Sequence, residues 1–414
     1  MPNCRLCGAG LELTMVDLGT QPLCESFLTT SQLNQMEPHY PLVVMVCGVC
    51  HLAQAVHDVA PAAIFDEYAY YSSYSDSWLN HARRYAGSVI ERFQLERGVS
   101  RVLEIASNDG YLLQYFLEAG IDVVGVDPSS NVAAVASAKG IETIVDFFGS
   151  DLASRLVADG LRVDLIVANN VLAHTPEIND LVAGVKILLG GEGVATFEFP
   201  HLMRLLDECQ FDTIYHEHWS YLSLITTVEL FRRQGLTVFD VEQLGTHGGS
   251  LRLYVRHEEN RGLHVTPAVG RLMEEEVAFG LAGAERYAEF GARVAETKRR
   301  LLSLLIAEKD AGRSIAAYGA AGKGNTLLNY CGISTDLVDY VCDRNPYKHG
   351  RFTPGSRIPI YGPEMIDRTR PDVVLILPWN LKGEVIAQLA HIESWGGRFL
   401  VPIPDPVMVG VPTG

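Results

Sequence analysis

The chain has 414 residues, a length that suits two or three domains, each large enough to bury a core. Hydrophobic residues make up 48% and charged residues 20%, the proportions of a soluble globular protein, and no apolar run approaches the roughly 20 residues that span a bilayer. With 33 Lys and Arg against 50 Asp and Glu the formal net charge is −17, a field that repels polyanions and disfavours a nucleic-acid partner.

The N-terminal residues MPNCRLCGAG have neither the charged nor the apolar region of a signal peptide, so a cytoplasmic protein is expected. Eight cysteines in that compartment point to metal binding or plain burial rather than to disulfides. Cys4 and Cys7 form one C-x-x-C pair, and Cys47 and Cys50 form a second. Each pair presents two thiolates from a tight turn, and two such turns complete a tetrahedral zinc site. Four unligated thiols, or one redox C-x-x-C, is the weaker reading, because a small module with little core gains its stability from the metal. The zinc is expected to be structural, with Cys24 left over and Cys209, Cys331 and Cys342 buried as small hydrophobes.

An aromatic stretch runs from Phe65 through Tyr68, Tyr70, Tyr71 and Tyr74 to Trp78, and a helix is expected over 79–97. From residue 101 short apolar runs alternate with helical segments: VLEIA, DVVGV, IETIV, VDLIVA, a helix near 178–189, then VATFEF. That alternation predicts a parallel sheet covered by helices on both faces, with SLRLYVR at 250–256 closing it. Residues 268–311 are charged and helical in period, and a second α/β pattern follows in SIAAYGAAGKGN, LVDYVCD, DVVLILP and RFLVPIP. The expected organisation is an α/β protein with a zinc-binding module (1–70), a Rossmann-like domain (71–262), a helical connector (263–311) and a C-terminal Rossmann-like domain (312–414). Three modules of this kind are compatible with a monomer.

The first strand runs into Glu104, Ala106, Ser107, Asn108 and Gly110, a turn that lacks the G-x-G-x-x-G fingerprint of dinucleotide sites. The second strand ends at Asp127-Pro128, where a carboxylate can accept hydrogen bonds from two ribose hydroxyls. Asp146, Phe147 and Phe148 follow the third strand and offer a carboxylate and aromatic faces for adenine, and Asn169 and Asn170 end the fourth. Each signal alone is weak, since an acid closing a strand is often only solvated. Four of them at the carboxyl ends of successive strands form a ligand constellation. Acids and aromatics suit a cationic sulfonium, so the expected cofactor is S-adenosylmethionine and the domain that of a class I methyltransferase.

After the fifth strand comes Tyr215-His216-Glu217-His218, three residue types suited to proton transfer, with His174 just beyond the fourth strand. A phenol or second imidazole could stabilise an enolate oxygen. A polar loop with surface histidines is the bland alternative, and H-E-H is not the H-E-x-x-H metal motif. In the C-terminal part, Tyr318-Gly319-Ala320-Ala321-Gly322-Lys323-Gly324-Asn325 opens a helix and resembles a phosphate-binding turn, although it is not a Walker A sequence. A purely structural glycine turn is an equal alternative. Lys348, His349 and Arg351 are further candidates for substrate phosphates, and they supply the local cations an acidic protein needs for such a ligand.

Taken together, EIASNDG, NNVLAH, FEFPHL, FDTIYHEHWSYLSL, GGSLR, YGAAGKGNTLLN and DRNPYKHGRFTPGSRIPI resemble the bacterial sugar C-methyltransferases over nearly the whole chain. The resemblance implies methylation of C3 of a nucleoside-diphosphate 4-keto deoxysugar: a base removes the C3 proton and the enolate takes the cofactor methyl. By motif, His218 matches the family's general base, Tyr215 and Glu217 its neighbours, and His174 a further active-site histidine. An N-terminal tyrosine also belongs to the family site, and Tyr70 is assigned to it. Ala106 departs from the family, where glycine is usual. Two other classes stay in view: a nucleotide-dependent oxidoreductase or epimerase of nucleotide sugars using the C-terminal glycine turn, and a non-catalytic, zinc-anchored binding protein.

Overall fold

A computed structural model describes residues 2–57, 59–61, 64 and 71–410. At the N-terminus, β1 (Leu13–Gln21), β2 (Tyr40–Val46) and β3 (Ala53–Ala55) pair antiparallel in chain order. One face of this small sheet packs inward through Met15, Val16, Leu18, Leu42 and Val44.

The central sheet is built from β4 (Arg101–Ile105), β5 (Asp122–Val126), β6 (Thr143–Ile144), β7 (Val163–Asn169) and β8 (Leu189–Pro200), all parallel. The next strand, β9 (Ser220–Tyr221), leaves that sheet and pairs with β3 instead. β10 (Leu236–Leu244) and β11 (Ser250–His257) then complete seven strands in the order β10-β11-β8-β7-β4-β5-β6, with β11 antiparallel to both neighbours. Val163, Leu165, Ile166, Val167 and Ala168 are all buried on β7, as expected for a strand with helices on both faces. β10 is absent from the sequence reading: a register shift between Val238 and Asp240 breaks its period of two. The IETIV run yields only the two residues of β6 at the sheet edge.

The segment expected to be a connector forms helices Pro267–Phe279 and Glu285–Asp310. The second is more than a linker. Its Tyr287, Phe290, Val294, Leu301 and Leu305, spaced three, four, seven and four apart, sit in one core with β1 and the C-terminal strands. Those strands are β12 (Ile315–Tyr318), β13 (Tyr340–Cys342), β14 (Ile360–Tyr361), β15 (Val373–Ile376), β16 (Arg398–Val401) and β17 (Val407–Val409). Their order is β14-β13-β12-β15-β16-β17, parallel except for β17.

The N-terminal module and the C-terminal unit are tied directly to each other. Leu28 and Phe352 exchange N–H···O bonds of 2.9 and 2.8 Å, and the Asn325 amide donates to the Cys24 carbonyl at 2.6 Å. The carboxyl ends of the central strands therefore face both the N-terminal module and the first turn of the C-terminal helix Gly322–Cys331.

Candidate active site

The four N-terminal thiols converge. Cys4 and Cys50 sulfurs are 3.4 Å apart, Cys7 and Cys47 sulfurs 3.5 Å, and all four lie within 4.8 Å of one another. These gaps are far too long for a disulfide and close to the ~3.7 Å edge of a tetrahedron with 2.3 Å zinc–sulfur bonds. The cluster lies beside β3 and not in the cleft, which suits a structural ion. Arg5 between the first two ligands donates to the carbonyls of Ala55 (2.7 Å) and Trp219 (3.1 Å), tying the knuckle to the end of β3 and to the residue just before β9.

A cavity of about 1750 Å³ opens over the ends of the central strands and reaches the C-terminal unit. That is about twice the size of an ordinary ligand pocket, so two ligands can share it. On one side, the loop after β4 turns through left-handed residues, with φ of +55° at Ala106, +50° at Asn108 and +74° at Gly110. Glycine adopts this conformation without cost, whereas the Ala106 methyl does so under strain. Asp127 closes β5 and accepts the backbone N–H of Asn108 and of Ser129, each at 2.9 Å, while still lining the cavity. Phe147 is 51% exposed and lines the cavity with Asp146, Phe148 and Pro128, offering an aromatic face. The side-chain oxygens of Asn169 and Asn170 are buried with no donor among the described residues. Acids, an exposed ring and orphaned acceptors fit the ribose, adenine and cationic centre of S-adenosylmethionine.

The same cavity is lined by Tyr215, Glu217, His218 and His174. The His218 Nδ1–H donates to the Thr213 carbonyl at 2.7 Å, which leaves Nε2 as the lone-pair nitrogen of the neutral ring. His174 Nε2 is 3.1 Å from it and must therefore be the donor, its ring set edge-on at 86°. Burial pulls the His174 imidazole down to about 4 and holds His218 well below its usual 6.5, so both rings are neutral at physiological pH. The Tyr215 ring lies against His218, centroids 4.0 Å apart and planes tilted by 32°, and burial keeps its phenol protonated and able to donate. The chemistry on offer is a neutral base beside a hydrogen-bond donor, in the cavity that the loop after β4 also lines.

The chain matches family models described as a zinc binding domain (residues 4–65), a methyltransferase domain (78–241) and a C-methyltransferase C-terminal domain (245–404). It is 36% identical over 412 residues to the C-methyltransferase NovU of Streptomyces niveus, covering 98% of this chain and 96% of that one. The chain belongs to the C-methyltransferase family. Among solved structures it is similar to the magnesium protoporphyrin IX methyltransferase ChlM of Synechocystis PCC 6803 with bound SAM (15% identity, 43% of this chain and 79% of that one, TM-score 0.33). It is also similar to the PH0226 protein of Pyrococcus horikoshii (17%, 47% and 97%, TM-score 0.37).

This C-methyltransferase uses S-adenosylmethionine and carries a zinc-binding module. Several residues assigned from sequence do not reach the cavity with their side chains. Glu104 is sealed at the end of β4 outside the cavity lining, its two carboxylate oxygens buried with no hydrogen-bond partner among the described residues. Ser107 packs under Gly125, where a Cβ would meet its hydroxyl at 2.4 Å. Gly110 lies against Ala136 and Ile141, and Gly324 against Leu377, both as packing glycines. Asn325 ties down Cys24 and Asn329, and Arg351 is exposed on the surface outside the lining. His349 donates to the Asp343 carbonyl at 2.7 Å and is likewise outside it.

Lys323 does line the cavity, its ammonium 2.8 Å from the Asn380 side-chain oxygen and 5.0 Å from the Trp379 ring centre. Lys348 is at the wall but engaged, donating to the Ala320 carbonyl at 2.7 Å and paired with Glu25 at 3.3 Å. Tyr70 and Tyr68 lie outside the described residues. Tyr71 and Tyr74 are described and both line the cavity, Tyr71 stacking on Tyr347. The sequence reading missed His247, Trp78, His81 and Arg252, which also line the cavity. Trp78 stacks on His81 at 4.9 Å and meets His247 edge-on at 5.0 Å. The glycine pair after His247 was the available signal: His247 itself sits at φ +55° at the start of a left-handed run. Cys24, read as spare, donates to the Glu217 carboxylate at 3.4 Å.

Proposed function

We propose that this C-methyltransferase methylates C3 of a nucleoside-diphosphate 4-keto-deoxysugar in branched-sugar biosynthesis. The observation that carries this reading is the His218 Nε2 lone pair, fixed by Thr213, set beside Tyr215 and lining the same cavity as the loop after β4. A 4-oxo group acidifies the neighbouring C3–H. His218 Nε2 takes that proton, with the acceptor displacing His174 from the lone pair, and the Tyr215 hydroxyl donates to the oxygen as it becomes an enolate. S-adenosylmethionine, when bound, supplies the methyl group that C3 receives. Glu217 holds the Cys24 thiol and lines the same wall, in an orienting role. The double-sized cavity supports an acceptor as large as a nucleotide sugar, and Lys323 is the cation placed to meet its phosphates. The net charge of −17 supports a small-molecule acceptor rather than a nucleic acid. No helix among the described residues is long and apolar enough to cross a membrane, and the enzyme is proposed to act in the cytoplasm as a monomer.

The test is mass spectrometry of nucleotide 4-keto sugars incubated with labelled cofactor, together with deuterium uptake at C3 in its absence. Methyl on carbon and cofactor-independent uptake are expected, and His218→Ala should lower both by about 100-fold or more. Full activity of His218→Ala on a sugar that the native enzyme methylates would sink the base assignment. NAD binding without S-adenosylmethionine binding would favour the oxidoreductase reading.

A further inference from the structure

A side chain of the C-terminal unit reaches the turn just before the catalytic segment. Trp379, in the turn after β15, donates its indole N–H to the carboxylate of Asp212 at 2.6 Å, and both side chains are buried. Asp212 sits in the short turn Phe211–Thr213, directly before the Thr213 carbonyl that accepts the His218 Nδ1–H at 2.7 Å. Space for the indole is built in. A Cβ on Gly248 would lie 2.7 Å from the Trp379 ring, and Gly248 sits at φ +90° with its carbonyl held by Gln210 at 2.7 Å. The Lys323 ammonium lies 5.0 Å from the ring centre, adding positive charge near the same carboxylate. A buried carboxylate with one strong indole bond is an expensive arrangement to keep unless it fixes something.

We propose that Trp379 is a positioning residue for proton removal: through Asp212 it fixes the Thr213 carbonyl, and thereby the ring orientation and tautomer of His218. This rests on the assignment of His218 as the base. It gives the C-terminal unit a part in the chemistry of the central one.

The test uses full-length Trp379→Phe, which keeps the ring and removes the donor, with Asp212→Ala and Asp212→Asn alongside. C3 deuterium uptake from solvent without cofactor is followed by NMR, with kcat, KM and S-adenosylmethionine affinity measured in parallel. Expected is an equal fall of about tenfold in uptake rate and kcat, with KM and cofactor affinity within twofold. Asp212→Ala should match Trp379→Phe, and Asp212→Asn, which keeps an acceptor oxygen, should recover part of the loss. A Trp379→Phe protein that melts cooperatively and exchanges within twofold of the native rate overturns the proposal. So does loss of methyl transfer with exchange intact. If Trp379→Phe fails to fold, Asp212→Ala decides by the same criterion. Absence of exchange in the native enzyme on every 4-keto sugar it methylates defeats the base assignment itself, and the positioning role falls with it.

Discussion

His218 and His174 illustrate how a residue's partners set its chemistry. The carbonyl of Thr213 can only accept, so one proton position on His218 is fixed, and that in turn dictates the donor nitrogen of His174. Burial then removes the charge from both rings, taking His174 to about 4 and His218 well below 6.5. A base works in its neutral form, which predominates above its pKa, so a lowered pKa moves the acid limb of the activity profile to lower pH. kcat/KM, which reports the free enzyme, is therefore expected to stay level from pH 8 down to about 6.5 rather than halving near the ordinary imidazole value. An inflection at 6.5 assigned to His218 by NMR titration would contradict this. Cys24 shows the limit of reading single residues: nothing in the sequence separates it from three other buried thiols, and only a 193-residue closure brings it to Glu217.

At the scale of elements, helix Leu224–Arg233 depends on a side chain from outside the central domain's expected bounds. Its first backbone N–H groups, at Leu224 and Ile225, donate to the buried Glu276 carboxylate at 2.7 and 2.8 Å, and His201 holds the same group at 2.8 Å. Four N–H groups at a helix start need acceptors, and Glu276 fills that need from helix Pro267–Phe279. Glu276→Ala is expected to cost about 3 kcal/mol in urea unfolding, because it strands two buried donors and a buried imidazole. Most elements were legible from their periods. β10 was not, since its bulge hides the alternation, and β6 was overcalled because an edge strand gains little from an apolar run.

Across the whole molecule, the zinc module braces the catalytic segment. β9, four residues after Glu217 at its far end, pairs with β3, and Ala55 donates to the Trp219 carbonyl at 3.0 Å. Chelation, or Cys47→Ser, is therefore expected to lower the melting temperature and kcat together, with activity lost before global unfolding. Restoration of both by added zinc would confirm the coupling, and full activity in metal-free protein would refute it. Trp379 makes the matching contact from the C-terminal side, so the Tyr215–His218 segment is held between the two flanking units.

The sequence by itself determined the four-cysteine cluster, the Rossmann-like pattern of strands, and the residue types at the strand ends. Each of these is local: a turn carrying two thiols, a period of apolar residues, or a polar residue closing a strand depends on near neighbours and hydrophobic patterning. Only the tertiary structure decided which of those residues face the cavity. Glu104, Ser107, Gly110, Gly324 and Asn325 are turned to packing or cross-links, while His247, Trp78, His81 and Cys24 are brought in from distant segments. Side-chain direction and long-range closure follow from how whole units pack, and a linear pattern carries no record of that packing.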